Sequence, residues 1–339
     1  MRRAAAVAAV TVVLAAAGTT GCTGGGTTAR PGPPRGSSAS ASTARPAAPS
    51  RARHPARLRV TRTSWRLPEP VSREAVASGA DGSSAVVAGG LLAGDRSTPR
   101  AYVLHLASGT TTALPPLGTP VHDTAGVRLR GRTLVLGGGN ASEQSTVQSL
   151  APGGWRLRGH LPGARSDLSA VRVGDRAFVV GGYDGGAPAL PAVLSTADGR
   201  RWRVVARLPV PVRYAAVVAV GTTIWVFGGE RNGAMVDAVQ RVDPATGAAR
   251  VVAHLPHRLG HASALLLGDR VLVAGGRTGP DRLTARLWWF EPGSGRFRRA
   301  GRLPTPLADA AALTRGSTGY LVGGETPAFS DRVLRLRLR

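Results

Sequence analysis

The run Ile224-Trp-Val-Phe-Gly-Gly229 decides the fold of this chain, because a short apolar run followed by two glycines occurs six times. The six glycine pairs are Gly89-Gly90, Gly137-Gly138, Gly181-Gly182, Gly228-Gly229, Gly275-Gly276 and Gly323-Gly324. Their first members are separated by 48, 44, 47, 47 and 48 residues. The runs are rich in β-branched, aromatic and other apolar side chains, which is typical of buried strands. The sequence therefore predicts an all-β protein built from six copies of one unit.

Each unit contains the signals of four strands. Fourteen residues before each glycine pair another strand begins, at Ala75, Asp123, Asp167, Tyr214, His261 and Asp309. After the pair come a polar loop, a third strand such as 236–242, a turn such as 244–247, and a fourth strand such as 202–208. A period of more than forty residues with four strands predicts a β-propeller blade.

The chain resembles the kelch-repeat family over about residues 58 to 339. The matching features are the apolar runs ending in two glycines, Tyr183-Asp184-Gly185 after one pair, the fourth-strand tryptophans Trp155 and Trp202, and a Leu-Pro step. The resemblance implies a six-bladed kelch-type propeller of the galactose oxidase central-domain superfamily. Copper-radical oxidases of that superfamily use a cysteine cross-linked to tyrosine. The only cysteine here, Cys22, lies outside the repeats, so we expect neither that cofactor nor any other.

The sequence also predicts how the propeller closes. The last unit ends after its third strand, 331–339, which alternates apolar residues with arginine. The segment 59–68, with Trp65, resembles the missing fourth strand. We therefore expect an N-terminal strand to complete the sixth blade and to cover an otherwise exposed edge.

The first 57 residues resemble an export signal followed by a tether. Arg2-Arg3 precedes an apolar stretch from Ala4 to Gly18, which is too short to span a bilayer. Residues 1–21 therefore resemble a bacterial lipoprotein signal peptide, with Cys22 as the lipidated residue. Thr19 stands where a leucine is usual, so a plain secretory signal remains the alternative. The composition of residues 22–57 predicts a disordered linker. We therefore expect the propeller to be tethered on the extracytoplasmic face of a bacterial cell membrane.

The charge is strongly basic, at +25, and all 44 basic residues are arginine. Residues 1–57 hold eight arginines and no acid, so residues 58–339 carry +17. Such a charge is compatible with nucleic acid binding, but export argues against that partner. Attraction to anionic lipids or wall polymers and simple solvation of the surface remain the two interpretations.

Function depends on the loops at one mouth of the channel, where two rings of residues are expected to converge. The first ring contains the strand-opening positions and the residues before them, and the second follows the glycine pairs. Polar candidates for ligand binding are His122, Asp123, Asp167, Tyr183, Arg213, Tyr214, Glu230, His261, Arg277, Asp309 and Glu325. Glu74 before Ala75 belongs to the same register. This mixture of acids, arginines, histidines and tyrosines suits a polyhydroxylated or charged ligand.

Several kinds of catalytic site are missing from the sequence. We find no nucleophile elbow and no Ser-His-acid order, and His257 and His261 cannot share a helix because Pro256 and Gly260 flank them. We therefore expect no bound metal and a binding module for a glycan, a cell-wall polymer or a partner protein. The alternative is a sugar-modifying enzyme that resembles sialic-acid mutarotases, with Glu230, Glu325 or His261 as acid and base and with Arg213 and Arg277 for a carboxylate.

Overall fold

The apolar runs form the second strands of six antiparallel four-stranded sheets in a computed structural model, which describes residues 57–339. The predicted six-bladed β-propeller is thereby confirmed, and no helix occurs among the described residues. Residues 57–339 accordingly contain no helix of the length and hydropathy needed to cross a membrane. The predicted signal peptide, Cys22 and the linker up to residue 56 lie outside the described residues.

In each blade, strand A is innermost and strand D is outermost. Strands A to D of blade 1 are Ala75–Ser78, Ser84–Ala88, Ala101–His105 and Thr111–Leu114. Those of blade 2 are Ala125–Leu129, Arg132–Leu136, Thr146–Ala151 and Gly154–His160. Those of blade 3 are Ser169–Val173, Arg176–Val180, Ala192–Thr196 and Arg203–Arg207.

The second half of the ring repeats this arrangement. Strands A to D of blade 4 are Ala216–Val220, Thr223–Phe227, Ala238–Val242 and Ala249–His254. Those of blade 5 are Ser263–Leu267, Arg270–Ala274, Arg286–Glu291 and Arg296–Arg302. Those of blade 6 are Ala311–Arg315, Thr318–Val322, Ala328–Leu338 and the N-terminal strand Leu58–Val71.

The predicted closure by the N-terminal strand is confirmed. Leu58–Val71 pairs antiparallel with Ala328–Leu338, so that Leu58 lies opposite Leu338 and Arg66 opposite Arg332. Trp65 packs into the core between blades 6 and 1 and lies so close to Gly109 that a Cβ there would meet the indole at 1.9 Å. The strand therefore fastens blade 6 to blade 1 as well as completing its own sheet.

The glycine pairs join neighbouring blades. The second glycine of every pair donates its backbone N–H to a carbonyl in front of the next blade, for example Gly229 to Leu259 at 2.8 Å. The last such bond runs from Gly324 to Val71 and closes the ring. The first glycine has a positive φ and no room for a side chain, because a Cβ on Gly228 would lie 2.0 Å from the Leu259 oxygen. The repeat therefore depends on glycine for both conformation and space.

The core consists of apolar clusters between facing blades. Between blades 4 and 5, for example, Phe227, Trp225 and Phe290 pack with edge-to-face ring contacts. The inner strands instead present small residues to the channel, including Gly126, Ala170 and Ala312. The channel is thereby left open beneath the loops that carry the candidate site.

Candidate functional site at the channel mouth

Six residues with left-handed backbone form a ring where the inner strands begin. They are Arg73, Asp123, Asp167, Tyr214, His261 and Asp309, with φ between 50° and 59°. Backbone hydrogen bonds of 2.9 to 3.2 Å join consecutive members, such as the N–H of His261 to the oxygen of Tyr214. Five such bonds hold these non-glycine residues in a conformation that is normally unfavourable. The left-handed conformation at these positions is therefore part of the propeller fold, and the ring presents one side chain from each blade.

The second ring lies directly against the first. Isolated β-bridges join the residue before each ring position to the residue after the glycine pair of the same blade. The bridges are Ser72 to Leu91, His122 to Gly139, Ser166 to Tyr183, Arg213 to Glu230, Gly260 to Arg277, and Ala308 to Glu325. All eleven candidate residues identified from the sequence therefore lie at this mouth.

In blade 1 the register expected from the sequence is wrong by two residues. The ring position is Arg73, and its bridged neighbour is Ser72, whereas Ala75 and Glu74 were expected there. The reason is the turn between strands A and B, which spans five residues after Ser78, while blade 2 turns with two residues after Leu129. Counting back fourteen residues from Gly89 therefore stops two residues short of the ring position, inside strand A. Arg73 is a mouth residue that sequence reasoning missed.

One chain of charged contacts crosses blades 3 to 6. Glu230 accepts hydrogen bonds from both Nε and Nη2 of Arg213, the former at 3.1 Å, and its other oxygen lies 3.2 Å from Nε2 of His261. The second ring nitrogen of His261, Nδ1, lies 2.6 Å from Asp309. Arg213 also contacts Asp167 through Nη1 at 3.3 Å. Each of these side chains thus has a charged partner on at least one neighbouring blade.

A second chain of contacts passes through Glu325. Arg73 donates Nε to Glu325 at 3.0 Å, Ser72 donates its hydroxyl at 3.2 Å, and Nη2 of Arg277 contacts the other oxygen. Arg277 also reaches Asp309 at 3.4 Å, and Arg73 reaches Asp123 at the same distance. Both arginines expected to bind a ligand carboxylate, Arg213 and Arg277, are therefore already paired with carboxylates of the protein.

These contacts fix the protonation of His261 and Glu230. Burial alone would lower the pKa of His261, but the charge of Asp309 and the hydrogen bonds to Asp309 and Glu230 raise it to about 9. The hydrogen bond from His261, together with Arg213, lowers the pKa of Glu230 to about 2 despite partial burial. At neutral pH His261 is a cation and Glu230 an anion, so neither is close to the protonation change that acid–base catalysis requires.

Asp123 and Asp167 behave differently. Burial raises the pKa of each to about 6, and the mutual repulsion of the two carboxylates adds to this effect for Asp167, although Arg73 and Arg213 oppose it. One oxygen of Asp123 is buried without a hydrogen-bond partner among the described residues. Burial and the same two carboxylates raise the pKa of Tyr214, which keeps its hydroxyl protonated. The mouth thus contains two carboxyl groups that exchange protons close to neutral pH.

Aromatic and imidazole groups line the rim. Tyr214 stacks on His261 with ring centroids 3.9 Å apart, and the guanidinium of Arg213 lies 5.1 Å from the ring of half-buried Tyr183. His122 lies between Ser97, at 2.8 Å, and Asp123, at 3.4 Å. Burial and the charge of Arg73 lower the pKa of His122, so its imidazole is neutral at pH 7. The rim therefore offers flat surfaces beside hydrogen-bonding groups.

A cavity of about 200 Å³ lies directly below the ring. Asp123, Asp167, Tyr214 and His261 face it, and small residues of the inner strands form its wall. A second cavity of about 390 Å³ continues along the same strands and ends beside Arg128 and Arg172. Within residues 57–339 no three His, Cys, Asp or Glu side chains are grouped so as to hold a metal ion. The arrangement can therefore surround a small polar ligand or a row of water molecules.

The fold and this mouth define a six-bladed β-propeller with a buried ionic ring. No protein-family model and no curated protein matches the chain. Among solved structures it is similar to YjhT, with a TM-score of 0.69 and 19% sequence identity over 81% of this chain and 99% of YjhT. At this identity the similarity supports the fold alone.

Proposed function

We propose that the chain is an exported kelch-type propeller whose channel mouth binds a neutral polyhydroxylated ligand such as a glycan or a cell-wall polymer. The observation that carries this proposal is the dense network of paired carboxylates and guanidiniums at the mouth. Such groups donate and accept hydrogen bonds in fixed directions, which suits sugar hydroxyls. Tyr183 at the rim supplies an aromatic face beside them.

Charge at the mouth favours a neutral ligand over an acidic one. Arg73, Arg213, Arg277 and His261 are each in contact with carboxylates, chiefly those of Asp309, Glu230 and Glu325. The site is close to charge balance, although the whole chain carries +25. An acidic sugar would have to displace an internal carboxylate, and leaving that carboxylate buried without a partner is costly.

Binding is best measured on the full chain by calorimetry against neutral and acidic sugars and wall fragments. We expect Tyr183→Ala to weaken binding at least tenfold and Tyr183→Phe to keep most of it, because the ring provides the contact. Arg250→Ala, on the exposed outer strand of blade 4, serves as the control. Equal affinity in Tyr183→Ala and wild type, or binding of acidic sugars alone, would contradict a neutral-sugar site at this mouth.

A second candidate is a sugar-modifying enzyme of the sialic-acid mutarotase type. The observation that favours it is the pair Asp123 and Asp167, whose pKa values of about 6 allow the two carboxyls to hold about one proton between them near pH 6. In ring opening, the carboxylate removes the anomeric hydroxyl proton while the carboxylic acid protonates the ring oxygen. Closure on the other face reverses both transfers, so no atom is gained or lost. Glu230 and His261 are unsuited to these roles because their protonation is fixed.

The two candidates differ in one measurement. Anomeric exchange of a bound sugar, followed by NMR, should be no faster than in buffer if the mouth only binds. Exchange that is accelerated by wild type and lost in Asp167→Asn, with binding retained, would establish the enzyme.

Export and anchoring through Cys22 complete the proposal and rest on the sequence of residues 1–22. Fractionation of cells that express wild type or Cys22→Ala tests this part. Wild type should carry a lipid adduct and be recovered in the membrane fraction, whereas the variant should lack the adduct and be absent from that fraction. Equal fractionation without an adduct would exclude the anchor and leave simple secretion.

A further inference from the structure

The outer ribbon of blade 6 carries five arginines on one face, which we call the arginine cluster: Arg57, Arg59, Arg335, Arg337 and Arg339. Arg59 lies directly opposite Arg337 in the ladder, and Arg57 and Arg339 exchange backbone hydrogen bonds of 2.9 and 3.0 Å. Since alternate residues of a strand share a face, all five side chains point the same way. All five are exposed. The strand reaches the mouth at Val71, so this cluster lies at the opposite end of the blade.

The cluster lacks internal compensation. Further along the same ribbon, Arg66 and Arg332 both contact Asp331. In the part of the chain that the structure describes, no member of the cluster forms an ion pair, in contrast to these two. Like charges directly opposite each other destabilise a sheet. Single facing pairs, such as Arg286 and Arg302, occur elsewhere, but here arginines occupy consecutive outward-facing positions, every second residue, on both strands.

The opposite face of the ribbon fixes these positions. Leu58, Val60, Leu334 and Leu336 pack into the apolar core with blade 5. A register shift of one residue would move arginines into that core and leucines into solvent. The strands therefore cannot slide to separate the charges, and the repulsion is a permanent property of the fold.

Between the side chains lies a hollow of about 110 Å³, lined by Arg59, Thr61, Arg335, Arg337 and Arg339. We propose that the arginine cluster binds phosphate groups of an anionic lipid surface, with one headgroup phosphate seated in this hollow. Guanidinium groups bind phosphate oxygens in pairs, and the half-buried Thr61 adds a hydroxyl beside them. Five cations on one face exceed the charge of a single phosphate, so they match an array of headgroups better than one soluble anion. This inference does not depend on the ligand of the channel mouth.

The test uses the full chain with Cys22→Ser, so that no acyl chain can attach the protein to a vesicle. We expect it to bind vesicles of phosphatidylglycerol mixed with phosphatidylcholine, to ignore pure phosphatidylcholine, and to dissociate as salt is added. Combined replacement of Arg59, Arg335 and Arg337 by glutamine should reduce partitioning about 100-fold, because each arginine near an anionic surface contributes about a fivefold factor.

A matched control removes the same charge elsewhere. Replacement of Arg250, Arg286 and Arg302 by glutamine, all exposed on strands C and D of blades 4 and 5, should leave partitioning within about threefold of the parent protein. If the control loses as much binding as the cluster variant, net charge alone is responsible and the proposed site is wrong. Binding of inorganic phosphate without any binding of vesicles would also overturn the lipid assignment.

Folding of the cluster variant is checked by thermal unfolding. Its midpoint should equal or exceed that of the parent protein, because repulsion between facing arginines is removed. A lysine variant at Arg59, Arg335 and Arg337 keeps the charge and provides a second readout if the glutamine variant unfolds. It should retain most vesicle binding, and loss of binding in this variant would contradict the electrostatic part of the proposal.

Discussion

Replacing Glu74 by glutamine should remove a pH dependence of stability that this residue imposes on the protein. The Glu74 side chain is buried beside the closing blade, and neither carboxyl oxygen has a hydrogen-bond partner among the described residues. Its Oε1 would lie 2.8 Å from a Cβ added to Gly323, so the carboxyl lies close against the glycine pair of blade 6. Burial, followed by the charge of Asp309, raises the pKa of Glu74 well above its ordinary value of 4.5.

The sign and size of the effect follow from proton linkage. The folded state keeps the Glu74 proton over a pH range in which the unfolded chain has already lost it. The free energy of unfolding therefore falls as pH rises through this range, by about 1.4 kcal/mol per pH unit for one proton. Above the ordinary pKa of 4.5, wild type should therefore lose stability with rising pH until the buried carboxyl ionises, and Glu74→Gln should lack this loss.

Urea unfolding of wild type and Glu74→Gln across this pH range measures the difference. Other titrating groups, including Asp123 and Asp167, are present in both proteins, so the difference between the two pH profiles isolates Glu74. Any constant cost of burying the glutamine amide shifts the whole profile without changing its slope. Glu143→Gln, on the mouth loop of blade 2, is the control and should follow the wild-type slope. Parallel profiles for wild type and Glu74→Gln would refute the assignment of a buried neutral carboxyl.

Two further predictions concern the glycine pairs and the ionic ring. In denaturant unfolding, Gly228→Ala should destabilise the protein by at least about 3 kcal/mol, because a Cβ would lie 2.0 Å from the Leu259 oxygen. Gly221 has a similar φ but open space around it, so Gly221→Ala should cost only about 1 kcal/mol. Equal costs would show that the positive φ alone, and not the lack of space for a side chain, requires glycine at this position. His261→Gln should lose a stabilisation that wild type has in full below pH 6.5 and loses as pH rises to about 9, worth up to about 3 kcal/mol. Unfolding profiles that stay parallel between about pH 6 and about pH 9.5 would show that His261 does not carry the raised pKa.

The blades were predictable because their determinants are local. A buried second strand, a glycine pair that needs both positive φ and space, and a turn recur in every unit, and each can be recognised within a few residues. The closing strand was also predictable, because Trp65 stands in a fourth-strand pattern for which the C-terminal unit had no copy. The kelch identity, the export signal and the lipid anchor remain predictions.

The mouth was predictable only as a collection of residues. Fixed counting from Gly89 selected Ala75 in place of Arg73, because nothing in the sequence distinguishes a five-residue turn from a two-residue turn at this site. Which charged side chains contact each other could not be predicted from the sequence either. Whether Arg213 contacts Glu230 or a ligand depends on side-chain directions across neighbouring blades, which no repeat spacing encodes.

The closing strand also sets an order of events during synthesis. Leu58 is made early and pairs with Leu338, about 280 residues later in the chain. At the usual rate of translation, about 5 to 20 residues per second, the first strand waits roughly a quarter of a minute to a minute for its partner. During that time its backbone edge is open to other chains, and its arginines, Arg59, Arg62 and Arg66, provide charge that discourages such pairing. Completion of the ring thus depends on strand Ala328–Leu338, which is synthesised after the other strands of the propeller.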